Sequence, residues 1–131
     1  MITISIDTDL IFKYLDRYSI SLELMGIKNL RVEGYRFVCV YMYKTFVGEL
    51  PIKIEITPKA DQAAQNILLD VYADTAIASR IISAIAASEI AARIPKSVAT
   101  NNQVIIPTPD FASGVVVQLN KHHLLIKMRT N

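Results

Sequence analysis

Y-R-F-V-C-V-Y-M-Y-K-T-F, residues Tyr35–Phe46, is the stretch on which the fold class turns. In an extended strand, Tyr35, Phe37, Cys39, Tyr41 and Tyr43 fall on one face, and Arg36, Val38, Val40, Met42 and Lys44 on the other. Both faces are apolar at the centre, which predicts a strand covered on both sides. Gly48 turns the chain. Leu50, Ile52, Ile54 and Ile56 then alternate with Lys53 and Glu55, so the next strand has one wet face, and Pro58 ends it. Upstream, Leu30 and Val32 lead into a Glu33-Gly34 hairpin turn. Ser19–Met25 alternates with Ile20, Leu22 and Leu24 on one side, and Gly26 marks a bend or bulge. Downstream of residues 59–65, Ile67, Leu69 and Val71 mark another strand.

The ends of the chain extend this pattern. Ile2, Ile4 and Ile6 alternate with Thr3, Ser5 and Asp7 in an opening strand. Asp7 or Thr8 then caps a short helix that reaches about Tyr18, with Leu10, Ile11, Tyr14, Leu15 and Tyr18 on one face. A long helix starts at Asp74 or Thr75 and ends at Pro95. Ile77, Ile81, Ala84, Ile85, Ala91 and Ala92 share its apolar face, opposite Ser79, Arg80, Ser83 and Arg93. Ile90 and Ile94 lie on the polar side and Ile82 at its edge. Val104–Ile106 is a short strand. Val115, Val117 and Leu119, a turn at Asn120–His122, and Leu124, Ile126 and Met128 form a final hairpin. Strands and helices do not alternate regularly. The expected fold is therefore α+β, a single domain over residues 1–131. In it a mainly antiparallel, curved sheet packs along one long helix, with a short N-terminal helix added.

Composition narrows the function. Of 131 residues, 52% are hydrophobic and 20% charged, and the formal charge is +2, which excludes disorder and a strongly basic nucleic-acid binder. One cysteine excludes an intramolecular disulfide framework and a Cys-rich zinc site. Met1–Asp9 lacks the basic start and apolar run of a signal peptide. Arg80, Glu89 and Arg93 interrupt the most apolar stretch, so no transmembrane segment is expected and a cytoplasmic location is.

Local motifs for chemistry are absent. His122 and His123 are adjacent in a turn and have no cysteine nearby, so no metal site is expected. Cys39 among aromatic neighbours reads as a buried, inert thiol. Asp7, Asp9 and Asp16 read as capping and solubilising residues. Four scattered glycines make no phosphate loop, and there is no G-x-S-x-G elbow. Arg31, Tyr35, Arg36 and Phe37 could stack bases, but they also fit an ordinary strand with charged ends, and no nucleic-acid partner is expected. No catalytic residue and no cofactor is expected.

The apolar surplus is the strongest functional signal. It belongs in a larger core, in a homo-oligomeric interface, or in a cleft that holds an apolar molecule. Five segments carry a resemblance. They are S-I-S-L-E-L-M-G-I-K-N-L-R-V-E-G from Ser19, Y-R-F-V-C-V-Y-M-Y from Tyr35, L-P-I-K-I-E-I from Leu50, T-A-I-A-S-R-I-I-S-A-I-A-A-S-E-I-A-A-R-I-P from Thr75, and G-V-V-V-Q-L-N-K-H-H-L-L-I-K-M from Gly114. This order resembles small bacterial modules of the tubular lipid-binding (TULIP-like) type, and the resemblance implies long antiparallel strands wrapped along a helix, with a lipid in an apolar groove. The expected function is non-catalytic binding of a lipid-like ligand between sheet and helix. The expected ligand-binding residues are Val38, Val40, Tyr41 and Tyr43 on the strand and Ile77, Ile81 and Ile85 on the helix. The alternative is an assembly subunit without a small ligand, self-associating through Ile82, Ile90 and Ile94.

Overall fold

The computed structural model describes residues 1–17, 24, 26–61 and 66–130. The strand expected over Ser19–Met25 lies outside the described residues, apart from Leu24, which is exposed. Among the described residues the chain runs β1 (Ile2–Asp7), α1 (Thr8–Asp16), β2 (Ile27–Glu33), β3 (Arg36–Thr45), β4 (Gly48–Asp61), β5 (Asn66–Asp74), α2 (Ser79–Ala91), β6 (Val98–Thr100), β7 (Gln103–Pro107), β8 (Ala112–Leu119) and β9 (His123–Thr130). All pairings are antiparallel. One sheet has the order β2-β3-β4-β5-β7-β6 and the other β1-β9-β8. The expected α+β fold is thus corrected to a mostly β protein, with two sheets and two short helices among the described residues. The long helix expected from Thr75 to Ile94 is 13 residues, Ser79–Ala91.

Strand β4 explains the stagger of the large sheet. It continues through Pro58, which was expected to end it, and pairs Pro58 with Leu69. The register with β3 stops at Phe37↔Ile56, and that with β5 stops at Lys53↔Asp74. Pro58 and Pro51 therefore each lie where β4 has a partner strand on one side only, the setting in which a strand tolerates proline. The wet face alternates as predicted. Ile52 and Ile54 are buried, whereas Glu33, Lys53, Glu55 and Arg36 form ion pairs on the opposite face. That face also carries Val38 and Val40. Val38 is fully buried. Its cross-strand neighbours are Arg31 and Glu55, long side chains whose aliphatic stems shield an apolar neighbour.

Two bodies share the apolar face of the large sheet. Helix α2 packs over β5, β6 and β7, where Ile82, Ala86 and Ala87 join Cys39, Ile54, Val71 and Val104 in the main core. At the far end of β4 and β5, Ala60 and Ile67 pack against Ala112, Val115 and Met128 of the small sheet. Helix α1 is capped by Asp7, whose side chain accepts from the Asp9 amide. Its expected inner face differs, because Leu10 and Tyr14 are exposed. Buried Thr8 anchors the helix start to the β8–β9 turn, donating from Oγ1 to the Lys121 carbonyl at 2.7 Å.

The orientation of α2 is a second correction. Ser83, expected on the solvent side, is buried, whereas Ile77 and Ile81, expected inside, are 79% and 62% exposed. Hydrogen bonding decides this. β7 pairs with β5 only as far as Asp70↔Gln103, so the backbone of β5 beyond that point has no strand partner on that side. Asn102 serves Val71, accepting from its amide and donating to its carbonyl. Ser83 Oγ accepts from the Ala73 amide at 2.8 Å and donates to the Ser79 carbonyl, and Ser79 Oγ donates to the Ala73 carbonyl at 2.7 Å. Buried backbone groups left unpaired are costly, so the serine face turns inward. Ser83→Ala strands the Ala73 amide, and urea denaturation should show a loss of about 1–3 kcal/mol.

Candidate functional site

A bulge and a close approach shape a cleft at one end of the helix-bearing face. Between β2 and β3 the register moves from Lys28↔Val40 to Arg31↔Val38, which leaves one extra residue in β2. Asn29 takes φ +56°, a left-handed conformation that asparagine tolerates. The bulge lets both Ile27 and Leu30 reach the core face, which strict alternation would forbid. Just before it, the Gly26 carbonyl accepts from the Met42 amide at 2.8 Å. A Cβ on Gly26 would stand 3.1 Å from the Met42 carbonyl oxygen, at φ +78°, so this approach requires glycine.

The cleft has two parts. The inner part is an apolar slot of about 110 Å³ between the sheet and the C-terminal half of α2. It is lined by Ile27 and Leu30 of β2, Cys39 and Tyr41 of β3, Ile54 and Ile56 of β4, and Ala86, Glu89 and Ile90 of α2. The outer part is an open, polar mouth of about 710 Å³, where Lys28, Lys44 and Arg93 meet Glu49 and Glu89. Tyr41 and Glu89 line both parts. Glu89 and Arg93 approach to 3.5 Å across one helical turn. Burial, with smaller contributions from Glu89 and Tyr43, raises the Tyr41 pKa, so its hydroxyl stays a neutral donor where slot meets mouth. Burial pushes the Cys39 thiol up to about 11, which agrees with the inert thiol expected from the sequence.

The structure brings together only part of the expected site. Tyr41 lines both slot and mouth, and Tyr43 lines the mouth. Val38 and Val40 face away from the helix, as their pairing with charged residues shows. Ile77 and Ile81 point to solvent, and Ile85 is half-buried outside the slot. Of the expected interface residues, Ile82 is in the main core, Ile90 lines the slot and Ile94 packs against the core, so this set is an inner face of the monomer. Ile27, Leu30, Ala86 and Glu89 were missed. The inward alternation of Ile54 and Ile56 is plain in the sequence, but Leu30 is hidden by the bulge and Glu89 by its position among small residues.

His122 and His123 are exposed, and both their amides donate to Asn120 Oδ1 at 2.8 Å, which fixes the turn. Among the described residues, no group of three or more His, Cys, Asp or Glu is placed to hold a metal ion. No helix among them is long and apolar enough to cross a membrane. The slot offers apolar contact and the mouth offers both charges, an arrangement suited to holding an amphipathic molecule. Comparison with protein-family models, curated proteins and solved structures finds no match to this chain.

Proposed function

We propose that the protein binds a small amphipathic ligand, without catalysis, in the cleft between the large sheet and α2. The observation that carries this reading is the joining of a slot with an almost wholly apolar lining to a polar mouth through Tyr41 and Glu89. A dry apolar cavity of about 150 Å³ accommodates benzene. The slot, at about 110 Å³, therefore takes a slightly smaller group, such as the last few carbons of an aliphatic chain. It does not enclose a whole acyl chain. The remainder of the ligand lies in the mouth, where the neutral Tyr41 hydroxyl donates to an oxygen of the head group and Lys28 and Lys44 favour a negative one.

Native mass spectrometry of protein purified from a lipid-containing host tests this. The expected result is an adduct of a few hundred daltons on the wild-type protein and none on Ala86→Phe, whose ring fills the slot. Adduct-free wild-type protein, or an adduct retained in full by Ala86→Phe, overturns the reading.

A second reading, self-association, rests on two exposed isoleucines, Ile77 just before α2 and Ile81 in its first turn. The same spectra report it as a dimer that Ile77→Asp abolishes.

A further inference from the structure

The wet face of the large sheet carries a second furrow, remote in character from the apolar slot. Tyr35 and Tyr72, 60% and 49% exposed, line a depression of about 550 Å³ with Arg36, Glu55, Asp70 and Gln103. A second depression of about 440 Å³ shares Tyr72 and Asn102 with the first and continues to Arg80 on α2. Together they form one elongated track over the end of β5. We propose that this track binds a neutral oligosaccharide, with sugar rings on the tyrosine faces and hydroxyls on the fixed polar side chains between them.

Three observations lead to that class of ligand. First, Tyr72 on β5 and Tyr35 in the β2–β3 turn are exposed amphipathic platforms. Each offers an apolar ring face to sugar C–H groups, Tyr35 on the side away from Arg36, and each hydroxyl can still donate a hydrogen bond. Second, the polar groups are held in place before any ligand arrives. Arg36 lies over the Tyr35 ring at 4.8 Å, donates to the Tyr35 hydroxyl at 2.8 Å and pairs with Glu55 at 3.0 Å. Gln103 donates to Asp70 Oδ1 at 2.7 Å, Lys59 pairs with the other Asp70 oxygen, and Asn102 is fixed to the Val71 backbone. A preorganised surface loses less entropy on binding. Third, the charges in the first depression are already paired. Arg36 and Lys59 face Glu55 and Asp70, so a phosphate chain meets carboxylates there, and Arg80 in the second depression adds a single cation. A polyol uses the remaining lone pairs of those carboxylates, the Gln103 carbonyl oxygen and the tyrosine hydroxyls without any need for net charge. The two adjoining depressions, of about 550 and 440 Å³, favour several linked rings over a single one.

The proposal stands independently of the apolar cleft. Calorimetric titration of the full chain with maltohexaose, cellohexaose and N-acetylchitohexaose tests it, with poly(U) as the phosphate-bearing control. Saturable binding of at least one hexasaccharide is expected, with poly(U) silent. Tyr72→Ala and Tyr35→Ala each weaken binding by about tenfold, the scale of a lost stacking platform, while Tyr72→Phe keeps most of it. Both tyrosines are exposed enough that these variants fold, and circular dichroism checks this. Ala86→Phe leaves saccharide binding intact, which separates this furrow from the cleft. Failure of all three hexasaccharides to bind, binding of poly(U) in their place, or affinities unchanged in both alanine variants overturns the proposal.

Discussion

Ile82→Asp unfolds the protein, whereas Ile81→Asp, one residue away, changes its stability by no more than about 0.5 kcal/mol. Ile82 is 3% exposed and Ile81 is 62% exposed. Truncating a buried isoleucine costs about 2–5 kcal/mol. The aspartate adds a carboxylate beside Val71, Ala87 and Val104, with no cation among the residues of that core cluster. The sum is comparable with the whole stability of a small domain, about 5–15 kcal/mol. Urea denaturation of both variants gives the result directly. Equal losses in the two, or a larger loss in Ile81→Asp, would reverse the orientation of α2 and remove the slot with it.

The second large effect is alkaline destabilisation through Cys39. Its folded pKa, about 11, lies above the ordinary value of 9.0 because burial penalises the thiolate. Below pH 9 both the folded and the unfolded chain hold the proton, and the thiol adds no pH dependence. Between pH 9 and 11 the unfolded thiol ionises while the folded one does not, so stability falls as pH rises. The two-unit displacement corresponds to about 2–3 kcal/mol by pH 11.5. Other side chains also ionise at alkaline pH. The readout is therefore the difference between wild type and Cys39→Ala, measured by denaturation from pH 8 to 11.5. The wild type loses the additional 2–3 kcal/mol, and parallel curves would contradict a buried thiol.

Much of the β-structure is legible in the sequence because alternation survives in it. The Val115–Met128 hairpin, its Asn120–His122 turn and the buried face of Ile52 and Ile54 follow from period two alone. The helix face is not legible from hydropathy. Isoleucines occupy both sides of α2, so apolar content does not distinguish them, and the choice falls to Ser79 and Ser83, which satisfy the open backbone at Ala73. That requirement exists only once β7 is seen to stop pairing at Asp70. The same choice inverted half of the expected site. Ile90 moved into the slot and Ile77 and Ile81 moved out. Tyr41 kept its role because β3 has no bulge opposite α2, whereas Leu30 could be placed only through the left-handed Asn29. The long helix shortened at both ends for local reasons. Ala78, with φ +55°, precedes Ser79 without a side-chain cap, and Ser97 Oγ closes the other end on the Ala91 and Ile94 carbonyls.

Isoleucine is so widely placed in this chain that its methyl groups report on every surface at issue. Titration of isoleucine-methyl-labelled protein with 1-hexanol, followed by methyl NMR, tests the cleft most directly. Saturable shifts are predicted at Ile27, Ile54, Ile56 and Ile90, with Ile77 and Ile81 unmoved, and filling the slot by Ala86→Phe should erase them. Shifts confined to Ile77 and Ile81, or no saturable shift at any of the six, would contradict a binding slot between the sheet and α2.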